Sequence, residues 1–212
     1  MKRLNRQLRY RIAETIHHAG EGHMPSGFSI VDIILVLYAN FLRYDKTNPN
    51  WGDRDYFILS KGHGSAALYV VLEHFGLLDT KHLEQKGKFD AILGGHPDST
   101  KIDFVEASTG SLGHGVVTAM GIALGLKIKH KSNRVVALIG DGESNEGTIW
   151  ETALVAANLK LGNFLVIVDN NGSAAQILPV SHMRSKWKAF GWETYEIDGH
   201  DEKKIKKAIA KI

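Results

Sequence analysis

The stretch VVALIGDGESNEGTIWETALVAANLKLGNFLVIVDNNG, residues 135–172, contains two apolar runs that each stop at a cluster of small polar residues. Residues 135–139 lead into Gly140-Asp141-Gly142, and residues 164–168 lead into Asp-Asn-Asn-Gly. The segment between the runs has the length and composition of a helix. Continuously apolar strands that alternate with helices are typical of a parallel sheet covered on both faces. The stretch therefore predicts an α/β fold with a mostly parallel sheet and helices on both sides.

The rest of the chain continues this alternation, and no linker or repeat divides it, so residues 1–212 are expected to form a single domain. Two runs outside the opening stretch are expected to be strands, at 56–59 and 193–197. Expected helices, some with approximate ends, are 4–16, 30–42 with Ser29 as its N-cap, 65–75, a short one within 79–92, 115–130, 145–160, 183–190 and a lysine-rich C-terminal helix.

Composition excludes several classes of protein. The chain has 212 residues and no cysteine, which excludes disulfides, thiolate catalysis and cysteine-ligated zinc. Its net charge of +3 comes from basic residues spread along the chain, so it favours neither nucleic acid nor membrane as a partner. No signal peptide or membrane span is apparent. The expected location is the cytoplasm.

The two polar clusters are expected to share one ligand. Asp141 and Asn171 lie 30 residues apart, which accommodates one helical crossover and places both at the same edge of adjacent strands. A carboxylate, an amide oxygen and a backbone carbonyl near Ser173 suit Mg²⁺, with phosphate and water completing the octahedron. Gly142 would leave its N–H free to donate to phosphate. Either cluster alone is also an ordinary turn signal, but the pair at this spacing predicts a metal-diphosphate site.

This spacing resembles the thiamine-diphosphate-binding motif, and further segments resemble the N-terminal half of transketolase. They occur in the family's order along almost the whole chain: GHMPSGFSIVDIILVLY at 22–38, LSKGHGSAALY at 59–69, GGHPD at 94–98 and STGSLGHG at 108–115. Two details depart from the family pattern, since GSAAQIL follows the second cluster and His114 stands where glutamine is common.

The resemblance implies roles for particular residues. Asp141, Asn171 and the Ser173 carbonyl would hold Mg²⁺, with Ca²⁺ or Mn²⁺ able to substitute. His63 would lie at the diphosphate and thiazolium end, while His23 and His96 would contact the donor sugar and move protons, as suits imidazole near pH 7. The remaining positions implied in cofactor binding are Gly110, Ser111, Leu112, Gly140 and Gly142, and Glu146 would lie at a subunit interface.

The resemblance also implies an activity and a partner. The activity is thiamine-diphosphate-dependent transfer of a two-carbon ketol unit from a ketose to an aldehyde, acting on sugars or sugar phosphates. The other half of a transketolase holds the aminopyrimidine, so activity would require a separate C-terminal-half subunit, in a heterotetramer with two copies of each. Two alternatives are a specialised thiamine-diphosphate enzyme of sugar or secondary-metabolite biosynthesis and a non-catalytic remnant of the family.

Overall fold

The protein is built around one three-stranded parallel sheet in a computed structural model that describes residues 2–211. The strands are β1 (Tyr56–Leu59), β2 (Val135–Gly140) and β3 (Phe164–Asp169), with β2 in the centre. Gly140 at the end of β2 pairs with Asp169 at the end of β3. The predicted parallel α/β fold is confirmed, and the two polar clusters follow adjacent strands.

Helices cover both faces of the sheet. They are α1 (Lys2–Ala19), α2 (Met24–Asn40), α3 (Ser65–His74), α4 (Thr80–Gln85), α5 (His114–Ile128), α6 (Gly147–Asn158), α7 (Met183–Ala189) and α8 (Glu202–Ile209). Within residues 2–211, none of them combines the length and apolar character needed to cross a membrane.

Alternate residues of the strands enter two separate hydrophobic clusters, because successive strand side chains point to opposite faces. Val136 and Leu138 pack in one cluster with residues from α1, α2, α3 and α8. Val135, Ala137 and Ile139 pack in the other with residues from α5, α6 and α7. Burial on both faces explains why β2 reads as an uninterrupted apolar run.

The second helix begins earlier than its sequence pattern predicts. It starts at Met24, directly after His23, so Ser29 lies inside the helix and is not its N-cap. Pro25 falls in the first turn, where the missing backbone N–H costs no intrahelical hydrogen bond. The Ser29 hydroxyl instead donates to Ser26 O at 3.0 Å and to Asp169 Oδ2 at 2.6 Å. The early start leaves His23 at the N-cap position of the helix.

The predicted strand at 193–197 is wrong. Residues 193–197 are irregular and form no strand. Among the described residues, β3 pairs with a strand, β2, on one side only. A groove of about 1920 Å³ separates the segment from β3. The segment is held by its flanks, since the Trp192 indole N–H donates to Ala153 O at 2.9 Å and Ile205 of α8 is buried in the first cluster. These anchors fix it away from the backbone of β3.

Candidate functional site

The predicted metal ligands meet at the carboxyl edge of β2 and β3. The Ser173 hydroxyl donates to Asp141 Oδ1 at 2.9 Å, and the Ser173 N–H donates to Asn171 Oδ1 at 2.9 Å. Asp141 is buried, whereas Asn171 and Ser173 are exposed. Thus one hydrogen-bonded cluster contains all three residues.

The donor set of this cluster fits a hard cation shared with a diphosphate. Among residues 2–211, no group of three or more histidine, cysteine, aspartate or glutamate side chains could hold a metal alone. Asp141 supplies one carboxylate and Asn171 one amide oxygen, which suits Mg²⁺ because this ion usually takes few protein ligands and completes its shell with phosphate and water. A purely protein-made metal cage does not fit this arrangement.

The carboxylate of Asp141 is already engaged by donors from its own loop and from the segment after β3. It accepts hydrogen bonds from the backbone N–H groups of Gly142 at 2.8 Å and Ala174 at 3.3 Å, in addition to the Ser173 hydroxyl. The expectation that the Gly142 N–H is free is therefore wrong, because that group caps the neighbouring carboxylate. A cation on Oδ1 of Asp141 would compete with the Ser173 hydroxyl for that oxygen.

The three predicted histidines lie near one another, and His63 is close to Lys61 and Asp169. The rings of His23 and His63 lie 5.5 Å apart, nearly perpendicular at 77°. A side chain on Gly110 would begin 3.0 Å from His96 Cδ2, so His96 lies directly against that glycine. Burial, and then the positive charge of Lys61, lower the pKa of His63 to about 4. His63 is consequently neutral at pH 7, with one ring nitrogen able to donate and the other to accept.

The loop at 110–113 packs on the turn that carries His63. Thr109 donates to Leu59 O at 2.7 Å, and a side chain on Gly62 would begin 2.8 Å from the backbone nitrogen of Gly110. Gly110 and Gly113 have φ values of +146° and +79°, which favour glycine. Between these glycines, Ser111 is exposed and Leu112 half-buried. The loop is thereby held beside the histidines.

Glu143, which the sequence pattern did not single out, connects three parts of the site. Its Oε1 accepts from Ser60 Oγ at 2.5 Å and from Gly113 N at 2.9 Å, while Oε2 accepts from Gly140 N at 3.2 Å. Burial raises the pKa of this carboxyl. Glu143 therefore joins the ends of β1 and β2 to the 110–113 loop.

A buried ion pair lies next to Asn171, one of the predicted metal ligands, and was also missed from the sequence. Lys61 Nζ donates to Asp169 Oδ2 at 2.6 Å, and these side chains are 1% and 8% exposed. The sequence signal for the pair is that Asp169 ends one apolar strand and Lys61 comes two residues after another. Glu146 lies apart from this pair, exposed at the start of α6.

Comparison with known families gives a single consistent result. Residues 1–212 match the family described as transketolase, thiamine diphosphate binding domain. The 6-deoxy-6-sulfo-D-fructose transketolase subunit SqwG of Clostridium sp. (strain MSTE9) is 36% identical over 201 residues, or 92% of this chain and 73% of that protein. An apulose-4-phosphate transketolase subunit of Phocaeicola vulgatus is 34% identical over 209 residues, covering 96% and 74%.

Solved structures have the same fold. Transketolase from Leishmania mexicana superposes with a TM-score of 0.88 at 26% identity, over 99% of this chain and 34% of that one. Transketolase from Campylobacter jejuni gives 0.88 at 29% identity, over 98% and 34%. The chain thus spans about a third of these transketolases and about three quarters of the SqwG and apulose-4-phosphate relatives.

Proposed function

Because the chain belongs to the transketolase thiamine-diphosphate-binding domain family, we propose that it is the subunit of a two-component transketolase-like enzyme that anchors thiamine diphosphate and Mg²⁺. In this proposal it forms a single domain, works in the cytoplasm and is active only with a C-terminal-half subunit. The enzyme transfers a two-carbon ketol unit from a ketose donor to an aldehyde acceptor.

The observation that carries the proposal is the cluster of Asp141, Asn171 and Ser173 at the sheet edge. It provides oxygen ligands for one cation beside Gly140 and Gly142, where a diphosphate can approach the backbone closely. Bound thiamine diphosphate would supply a carbon nucleophile and stabilise the carbanion that ketol transfer requires. The role of the chain is to hold the diphosphate end through the cation.

The histidines would handle the protons of the sugar. His63 is neutral at pH 7 and half-buried, so it can orient a hydroxyl or the diphosphate without adding charge. His23 and His96 are exposed beside it, where they can contact hydroxyl groups of a ketose and accept or return a proton. Gly110, Ser111 and Leu112 would contact the aminopyrimidine.

The proposed partner surface is an apolar stripe on α5. Val117 and Ile128 are 38% and 68% exposed, and Gly121 and Gly125 between them lie on the same helical face. A side-chain carbon added to either glycine would meet no other atom within 4 Å. Exposed apolar surface of this kind supports docking of another protein chain. Glu146 would lie at the same interface, in a heterotetramer with two copies of each subunit.

The relatives support sugars as substrates and also favour a second candidate. Two of them are named as subunits of transketolases for different sugars, 6-deoxy-6-sulfo-D-fructose and apulose 4-phosphate. A specialised pathway for an unusual sugar or sugar phosphate is therefore the alternative to a general role in carbohydrate metabolism.

The test is a calorimetric titration of the chain with thiamine diphosphate and Mg²⁺, with and without a C-terminal-half subunit, together with a ketol-transfer assay. We expect Asp141→Ala to abolish metal-dependent binding. Ser173→Ala is the matched control, because it keeps the backbone carbonyl and removes only the hydroxyl that competes for Asp141. It should bind the metal at least as well as the unmodified chain.

Two outcomes would contradict the proposal. Metal-dependent binding that survives in a folded Asp141→Ala variant would remove the site assignment. Ketol transfer by the chain without a partner would remove the two-component assignment. Circular dichroism of each variant establishes that the fold is intact.

A further inference from the structure

Three donors meet on one oxygen of Asp169, at the end of β3. Asp169 Oδ2 accepts from Lys61 Nζ at 2.6 Å, from the Ser29 hydroxyl at 2.6 Å and from Asn171 Nδ2 at 2.9 Å. The carboxylate is buried, and Lys61 is the cation paired with it. Without that ammonium, the carboxylate would be left as an uncompensated buried charge.

This arrangement fixes the orientation of the Asn171 amide. Because Nδ2 faces Asp169, the other amide atom, Oδ1, faces the opposite way and accepts from Ser173 N at 2.9 Å. Rotating the amide by half a turn would bring Oδ1 against the Asp169 carboxylate and Nδ2 toward the cluster of Asp141. A cation needs the oxygen on that side, since an amide nitrogen is not a ligand for Mg²⁺.

We propose that Lys61 is a positioning residue for the metal site, which acts through Asp169 to keep the amide oxygen of Asn171 facing the cation. The inference rests on the proposed function, since it assumes that Asn171 is a ligand. Lys61 does not touch the cation in this arrangement. Its ammonium stabilises the carboxylate, and the carboxylate orients the amide.

A different role for Lys61 would be direct contact with the diphosphate. Its side chain runs beneath Gly140, where a side-chain carbon would lie 3.7 Å from Lys61 Cδ. The two roles predict different energetic coupling between Lys61 and Asn171. A residue that acts through Asn171 loses its effect when Asn171 is removed, whereas one that contacts phosphate keeps its effect.

The test is a double-mutant cycle of Lys61→Met and Asn171→Ala, with Mg²⁺ titrated by calorimetry against the full chain and thiamine diphosphate. Loss of a residue that orients a metal ligand typically weakens metal affinity about 10–100-fold. We expect a loss in that range for Lys61→Met alone and less than about twofold in the Asn171→Ala background. Lys61→Gln, which keeps an N–H donor, should recover part of the affinity.

A matched control is Lys86→Met. Among the residues whose burial is described, Lys86 is the other buried ammonium; it is 1% exposed and paired with Glu21 Oε1 at 3.2 Å, and its hydrogen bonds go to Glu21 and not to Asp169. Its removal should lower stability but leave the Mg²⁺ titration unchanged. If both lysine variants lose Mg²⁺ affinity to a similar extent, the effect comes from a general loss of stability, and the inference is contradicted.

Nuclear magnetic resonance of the chain without ligand gives an independent measurement. The side-chain amide protons of Asn171 should exchange slowly because of Asp169, and Lys61→Met should speed their exchange. The inference would be overturned if Lys61→Met left this amide exchange unchanged. It would also be overturned if Lys61→Met lowered Mg²⁺ affinity equally in the unmodified chain and in the Asn171→Ala variant. If Asp141→Ala and Asn171→Ala leave Mg²⁺ affinity unchanged, the proposed function fails instead, so the two failures are distinguishable.

Discussion

His63 differs from the other two histidines of the site in being half-buried, with the ammonium of Lys61 nearby. Both features oppose protonation of its ring, so its pKa falls from 6.5 to about 4. In the proposed site, a neutral ring could donate to the diphosphate from one nitrogen while the other accepts. His23 and His96 are exposed, which is why the proposed function assigns them, and not His63, the exchange of protons with a sugar.

The lowered pKa of His63 predicts a pH dependence of stability. As pH falls, the unfolded chain protonates His63 near 6.5, whereas the folded chain resists protonation until about 4. The free energy of unfolding should therefore decline between these values, and His63→Gln should lack this part of the decline. Urea unfolding at several pH values measures the difference. Parallel curves for both proteins from pH 7 down to 4 would contradict it, while parallel behaviour above pH 7 is the internal control.

Single residues divide into those that the sequence could predict and those that it could not. The proximity of Asp141 and Asn171 was predictable because each follows a buried apolar strand, and parallel strands bring their carboxyl ends together. Lys61 and Asp169 are 108 positions apart, and Glu143 lies 83 positions from Ser60. No local pattern identifies such partners, since burial of a charge becomes visible only when the strands are assembled.

At the scale of elements, the 110–113 loop is held by backbone geometry and by Glu143. Gly113 has φ +79°, donates its N–H to Glu143 and lies so close to α6 that a side chain would begin 2.3 Å from Thr148 Oγ1. Gly113→Ala adds both the left-handed backbone penalty and this contact. We expect it to lower the free energy of unfolding by about 2 kcal/mol and to weaken thiamine diphosphate binding in the assembled enzyme.

Thermal and urea unfolding measure this effect. The control is Gly147→Ala, at the start of α6, where no atom lies within 4 Å of the added carbon and φ is not positive. It should leave stability almost unchanged. Equal stability of the two variants would show that Gly113 carries no strain penalty.

Elements whose positions depend on long apolar patterns were predicted well, and those that depend on a neighbour were not. The strands β1, β2 and β3 were expected at almost their observed positions because each is a run of consecutive apolar residues, which indicates a buried strand. The start of α2 was missed because residues 24–29 have few apolar positions in helical spacing. The strand at 193–197 was expected from residue type, but a strand also requires a hydrogen-bonding partner at the correct distance.

At the scale of the whole molecule, the sheet edge carries Asp141, the carboxylate of the proposed cation site, and His23 and His96 are exposed near the half-buried His63. A reaction that must exclude water needs this edge to be covered. The exposed apolar face of α5 begins at the end of the 110–113 loop, so a partner docked there would also cover the site. Docking and completion of the site are thereby expected to be one event.

Gly121 on this face allows folding and docking to be separated. Because open space surrounds it in the middle of α5, Gly121→Ala should stabilise the chain by up to about 1 kcal/mol, as alanine favours helix more than glycine does. Gly121→Arg also fits the isolated chain, but its side chain would stand in the middle of the apolar stripe. We expect normal folding and loss of binding to the C-terminal-half subunit, measured by co-purification and size-exclusion chromatography.

Lys207→Glu on α8 is the control for a surface charge change, since this exposed residue lies on a helix of the opposite cluster and should not affect docking. The partner's effect on cofactor binding gives a second readout. Thiamine diphosphate affinity should rise on adding the partner to the unmodified chain and to Lys207→Glu, but not to Gly121→Arg. If the Gly121→Arg variant still binds the C-terminal-half subunit fully, the interface does not lie on this face of α5. If the unmodified chain binds the partner but its thiamine diphosphate affinity does not rise, docking and completion of the site are separate events. A partner that covers the sheet edge would be expected to change the affinity of that edge for the cofactor.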